Sequence, residues 1–182
     1  MHLLLRTLWL LIAARRRRPL SIWDAGSLPL RVQLTDIDIA MHVNNGMYLS
    51  LMDLGRFDLM IRSGFWKVMR EKGWSPVVNA ETITFRKSLQ LGHRYTIETQ
   101  IVGFDERAIY FDQRMVRDGE IYARAYIATR LLGSQGPVPN TDIFAAFGSP
   151  PADMDLPEWI HEWRLSTALP STRRPAPHIW MR

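Results

Sequence analysis

Between Thr35 and Asp58 the chain reads TDIDIAMHVNNGMYLSLMDLGRFD, setting two aspartates, a histidine and two asparagines ahead of a long apolar run. These residue types suit attack on an electrophilic carbon. A carboxylate such as Asp38 can act as base or nucleophile, and His42 can move a proton. A helix beginning at the asparagines would offer unpaired backbone N–H groups and the positive end of its dipole to a developing oxyanion. The same residues also serve plain structure. Aspartate before a helix caps it or closes an Asx turn, and a histidine there is a hydrogen-bonded turn residue. Asn44 and Asn45 fix a turn through side-chain to backbone bonds. Asp36, two residues before Asp38, can raise its neighbour's affinity for a proton or hold the loop as an acceptor. Asp53 and Arg56, three apart, form an ion pair along a helix.

Such a cluster needs a rigid mount. Met47, Tyr48, Leu51, Met52, Leu54, Phe57, Met60 and Ile61 form a wide apolar face, predicting a helix over 47–61 buried on most sides. A short helix through FWKVMREKG stops at Gly73. The alternation in LPLRVQL predicts a strand before the cluster. Beyond Trp74 four stretches rich in β-branched and aromatic residues, VVNAETITFRKSL, RYTIETQIVGF, AIYFDQRMV and EIYARAYIATRLL, predict four more. Asp118-Gly119 is a hairpin signal, and Asp105-Glu106 and Leu91-Gly92-His93 are the other expected turns. One antiparallel sheet wrapped around one buried helix accounts for both patterns, an α+β domain. LPEWIHEWRLSTAL predicts a C-terminal helix. The expected organisation is an apolar and basic segment 1–18, a connector 19–27, the domain 28–133, an extension 134–169 and a tail 170–182.

Composition narrows the partners. Of 23 Lys and Arg residues, five lie in residues 1–18, where there is no acid, leaving 18 against 18 Asp and Glu in the remainder. The basicity belongs to the N-terminus, and nucleic acid is not an expected partner. The stretch from Leu3 to Ala14 is shorter than the ~20 residues a bilayer span needs, and its arginines follow the apolar run rather than precede it. Two readings stay open. Leu3, Leu4, Trp9, Leu10 and Leu11 enter a membrane interface while Arg15 to Arg18 meet anionic headgroups, or the segment packs on the domain. The chain has no cysteine, which excludes disulfides and thiolate chemistry and fits a reducing compartment such as the cytoplasm. The five histidines are scattered without metal-ligand spacing.

The motif TDIDIAMHVNNGMYLSLMDLGR resembles the helix-start signature of hotdog-fold acyl-CoA thioesterases of the 4-hydroxybenzoyl-CoA thioesterase type, through Asp36, Asp38, His42, Val43, Asn44, Asn45, Tyr48, Asp53 and Arg56. It is most similar to the thioesterase-superfamily-member-six-like branch, which shares the apolar N-terminal segment, a stretch like Glu106 to Tyr110 and a Trp-containing C-terminal helix. The chain departs from the signature in carrying Met41 where glycine is usual. Gly46 stands where a small residue follows the asparagines, Gly55-Arg56 replaces Ala-Arg, and Leu91-Gly92-His93 replaces the usual Leu-Gly-Asp.

The resemblance implies a hotdog fold, an antiparallel five-stranded sheet around one long helix with helical extensions at both ends. It implies hydrolysis of acyl-CoA thioesters, lipid-derived given the apolar N-terminus, with no cofactor. Backbone N–H groups near Asn45 and Gly46 would polarise the thioester carbonyl, and Asp38 would attack it or deprotonate water, with His42 as a further acid or base. Tyr48 and Asp36 would contact substrate, and Arg86, Lys87 and Arg94 would meet the phosphates of coenzyme A. A site between subunits implies a homodimer or tetramer. Two other functions fit the scaffold: a non-catalytic acyl or lipid binder, and a dehydratase using Asp53.

Overall fold

The computed structural model describes residues 3–170 and 174–178; the end of the expected tail lies outside them. Helix α1 spans Leu4–Ala13 and runs into a 3-10 turn, Ala14–Arg16. Strand β1 is Gly26–Arg31, and a 3-10 turn at Leu34–Asp36 leads into the polar cluster. Helix α2, Asn45–Arg62, is followed by α3, Phe65–Lys72. Then come β2 (Ser75–Phe85), β3 (Arg94–Phe104), β4 (Ile109–Arg117), β5 (Glu120–Gly133) and the short β6 (Gly136–Pro137). Helices α4, Asn140–Phe147, and α5, Glu158–Ser166, complete the chain. The α4 helix falls in a proline-rich stretch where no helix is expected.

All pairings are antiparallel in the order β1-β3-β4-β5-β2, with β6 added to β5. The five expected strands are present, and β6 makes six. Asp118 and Gly119 both hold positive φ (52° and 75°), the left-handed pair that a two-residue hairpin requires, and Arg117 faces Glu120 across it. The turn at Leu91–His93 does not close a hairpin. Strand β2 pairs with β5, so the segment after Phe85 crosses the open end of the barrel-like curl to reach β3.

The sheet curls around α2, whose Leu51, Met52, Leu54 and Leu59 are at most 1% exposed. Burial of each such side chain contributes roughly 1.5–3 kcal/mol. The polar interruptions of this helix are absorbed in pairs. Gln113 of β4, fully buried, donates from Nε2 to the Met52 carbonyl and to Thr99 Oγ1 (both 2.8 Å), and its Oε1 accepts from Arg56 at 2.6 Å. Asp58 accepts from Arg17 at 2.7 Å and from Arg62 at 3.0 Å. Gly55 lets the helix lie this close. A Cβ there would sit 2.6 Å from Ile97 Cγ2 and 2.7 Å from Thr99 Oγ1. On the outer face of the sheet, Leu156 and Ile160 of the C-terminal extension cover Ala108, Tyr110 and Ala128.

Helix α1 also packs on the domain. Leu10 and Ala14 are buried in the main core, and Leu11 is half-buried. Its outward stripe is Leu4, Leu5, Leu8, Trp9 and Ile12. Leu10 is therefore corrected from a membrane-facing to a core position. Among the described residues no helix is long and apolar enough to cross a membrane.

Candidate functional site

Residues 37–43 form a small hairpin against the start of α2. Ile37 bridges Val43, and the Asp38 N–H donates to the His42 carbonyl at 3.0 Å. Inside it, the Met41 N–H donates to the Asp38 carbonyl at 3.0 Å, and Met41 then takes φ of 64°. A tight turn followed by one left-handed residue is a standard way to close a three-residue hairpin loop, and glycine is the residue suited to that last position. Met41 thus holds the strained conformation that the usual glycine would take freely, with its side chain largely exposed.

The turn aims Asp38. Its Oδ1 accepts the Ala40 N–H at 2.9 Å and lies 3.6 Å from His42 Nδ1, while Oδ2 has no hydrogen-bond partner among the described residues. Asp38 is thus an Asx-turn residue through one oxygen, and its other oxygen makes no bond that fixes the loop. Both side chains reach solvent, 29% exposed for Asp38 and 40% for His42. Next to them α2 opens. Asn44 caps it, its Oδ1 accepting the Gly46 N–H at 2.9 Å. The Asn45 N–H has no acceptor among the described residues, and Asn45 and Gly46 are both exposed. Of the two expected oxyanion donors, one is free and the other is held by the cap.

Other expected site residues are placed differently. Tyr48 is 2% exposed, stacks edge-on against Phe85 at 5.0 Å, and its hydroxyl accepts the Leu89 N–H at 3.2 Å. Burial pushes that hydroxyl's pKa up. Its role here is to pin the segment after β2 against the helix start, rather than to meet a ligand. Asp36 is fully buried. It accepts from Arg6 Nη1 at 2.8 and 3.0 Å and from the Gln33 N–H at 2.8 Å, and is corrected to a structural acceptor. Arg86 and Lys87 are exposed and share Glu120, whose carboxyl they hold below the usual range, Lys87 acting most strongly. Arg94 does not join them. It starts β3, three strands from β2 in the sheet order. Arg56 pairs with Asp53 as expected, and with Glu81 at 3.5 Å.

Sequence reasoning missed Arg6 and the segment at Gln90. Arg6 was legible as a lone charge inside an apolar run, a pattern that marks a buried partner. Gln90 bridges His42, and the Leu89 carbonyl accepts the Val43 N–H at 2.8 Å, so this crossing segment forms one wall of the site. No local pattern marks it, because the contact depends on β2 and β3 lying at opposite sides of the sheet.

An antiparallel sheet wrapped around one long helix is the hotdog fold, and the family model described as Thioesterase-like superfamily matches residues 32–163; the chain belongs to that superfamily. Among individual proteins it is 34% identical over 133 residues to the protein THEM6 of Danio rerio, covering 71% of this chain and 66% of that protein. The chain thus spans less than two thirds of the length of the curated relatives it matches. Its fold is similar to that of the probable thioesterase YbaW from Escherichia coli, with TM-score 0.63, 20% identity, and 68% of this chain and 96% of that one covered. It is also similar to Slr0204, a 1,4-dihydroxy-2-naphthoyl-CoA thioesterase from Synechocystis, with TM-score 0.59, 14% identity, and coverage of 74% and 100%.

Proposed function

We propose that the protein hydrolyses acyl-CoA thioesters, with a fatty or other lipid-derived acyl group. The observation that carries this reading is the hairpin 37–43 that runs into the start of α2: it carries Asp38 with one uncommitted oxygen, and the helix opens with an unpaired Asn45 N–H. The thioester carbonyl accepts from that N–H at the positive end of the helix, which stabilises the tetrahedral oxyanion. Asp38 either attacks the carbonyl, giving a mixed anhydride that water then hydrolyses to release the acid and free the carboxylate, or takes the proton of a water that attacks directly. Addition forms the C–O bond, and collapse of the intermediate breaks the C–S bond. The coenzyme A thiolate leaves and takes up a proton. His42, whose Nδ1 lies 3.6 Å from Asp38 Oδ1, is a group that can supply that proton in its protonated form. Arg86 and Lys87 serve the coenzyme's phosphates by exchanging Glu120 for them.

A homodimer completes the site. The outer edge of β2 has no partner strand among the described residues, and Val77, Val78 and Phe85 on that strand are exposed. Ile39 and Met41, at the tip of the Asp38 loop, are exposed too, and packing against a second copy would cover them. The Leu5, Leu8, Trp9 and Ile12 stripe, followed by exposed Arg15, Arg16 and Arg18, suits peripheral contact with an anionic membrane face. Purified protein assayed against acyl-CoAs of graded chain length, with Asp38→Ala in parallel, tests the reading. Thiol release by the wild type alone supports it. Release by neither favours the acyl-binding alternative, for which the exposed apolar stripe also speaks.

A further inference from the structure

A cavity of about 760 Å3 lies between α1 and the β1 side of the sheet, and Asp38, His42, Asn45 and Gly46 do not line it. That volume is in the range of small-molecule sites. Part of its wall is Leu5, Trp9 and Leu10 of α1, outside the residues the superfamily model matches. Facing them are Leu28 and Leu30 of β1 and Leu54 of α2, which give the cavity an apolar wall.

Its polar end is unbalanced. Arg31 and Arg94 both line the cavity and are direct cross-strand partners in the β1–β3 register. Two like charges directly opposite one another repel. Nearby charges do not relieve them: Asp118 is paired with Arg117 at 3.2 Å, and Asp36 with Arg6 at 2.8 Å. Arg31 gives only its Nε–H, to the Gly92 carbonyl at 3.0 Å, and Arg94 has no ion pair among the described residues. A separate observation points the same way. On the core-facing side of the same strand, opposite to Arg94, Tyr95 is 3% exposed and lines the cavity, and its buried hydroxyl has no hydrogen-bond partner among the described residues.

We propose that this cavity is a binding site for a long-chain fatty carboxylate, with the alkyl chain held between α1 and β1 and the carboxylate between Arg31 and Arg94. A carboxylate accepts from two guanidinium groups at once, and a single negative charge removes most of the repulsion between them. The site is separate from the Asp38 centre and stands without the hydrolytic reading.

Calorimetric titration of the 182-residue protein with hexadecanoate, with methyl hexadecanoate and inorganic phosphate as comparison ligands, tests this. Hexadecanoate is expected to bind at least tenfold more tightly than either. Substituting both exposed arginines, Arg31→Gln with Arg94→Gln, should weaken it at least tenfold while thermal unfolding stays as in the wild type. A diazirine-bearing hexadecanoate should crosslink to peptides of α1 and β1. Undiminished affinity in the double variant, phosphate binding as tightly as hexadecanoate, or crosslinks confined to residues 37–46 would each overturn the assignment.

Discussion

Arg6 and Asp36, thirty residues apart in sequence, are joined by two hydrogen bonds of 2.8 and 3.0 Å, with the aspartate fully buried. Arg6 Nη2 also donates to the Arg31 carbonyl at 2.9 Å. Asp36 in turn opens the loop that presents Asp38, and its own carbonyl accepts the Asn44 N–H at 2.9 Å. Helix α1 is thereby a structural support of the candidate site, whatever its outer face contacts.

Removing that cation should be costly. Arg6→Ala leaves a buried carboxylate without its counter-charge, an effect of about 3–5 kcal/mol. Urea unfolding should show that loss, and adding Asp36→Asn to Arg6→Ala should recover part of it. Deleting residues 1–18 goes further, because it also strips Arg17 from buried Asp58. A membrane-binding test therefore needs surface changes such as Leu8→Glu with Ile12→Glu, not truncation.

Met41→Gly should stabilise the fold. Met41 pays the steric cost of the left-handed region, about 1–2 kcal/mol, which glycine avoids at some cost in chain entropy. A net gain of about 0.5–1 kcal/mol in the unfolding midpoint analysis is expected. A loss would mean that the exposed Met41 side chain makes a contact, in an assembly, that outweighs the strain.

Glu81 provides a pH test. Burial raises its pKa above the usual carboxylate value, with Arg56 pulling it partly back. An acid that is harder to ionise in the folded state favours folding at pH values below its unfolded pKa. That contribution is lost as pH rises through the folded value. Glu81→Gln should thus raise the melting temperature relative to wild type at neutral pH but not near pH 4, by under about 1 kcal/mol for so exposed a group. Hydrolysis should survive the change, since the account gives Glu81 no chemical role.

Glu120→Gln bears on coenzyme recognition. Freeing Lys87 and Arg86 from their shared carboxylate should lower KM for acyl-CoA a few-fold with kcat unchanged, and the effect should shrink as salt is raised. No change in KM would remove these two cations from the phosphate site.

Much of this architecture is legible in the sequence because its signals are local. The apolar face of α2, the period-two strands and the left-handed pair Asp118-Gly119 each follow from a few neighbouring residues. So does the polar loop: Asp38 and His42 are four apart, and a short hairpin brings them together. What escapes is set by long-range pairing. The β2–β5 partnership separates Arg94 from Arg86 and Lys87, and the helical register of α1 turns Leu10 inward while Leu8 and Ile12 face out. Tyr48 reads equally well as a ligand contact or a core aromatic, and only the position of Leu89 decides between them.

The most direct test is kcat/KM of Asp38→Asn on the best acyl-CoA substrate. Asparagine keeps the side-chain oxygen that accepts the Ala40 N–H, so the turn survives, but it can neither attack the thioester nor take a proton from water. The account predicts a loss of about 100-fold or more at unchanged thermal stability. Wild-type activity in this variant would reduce Asp38 to a turn residue and contradict the mechanism.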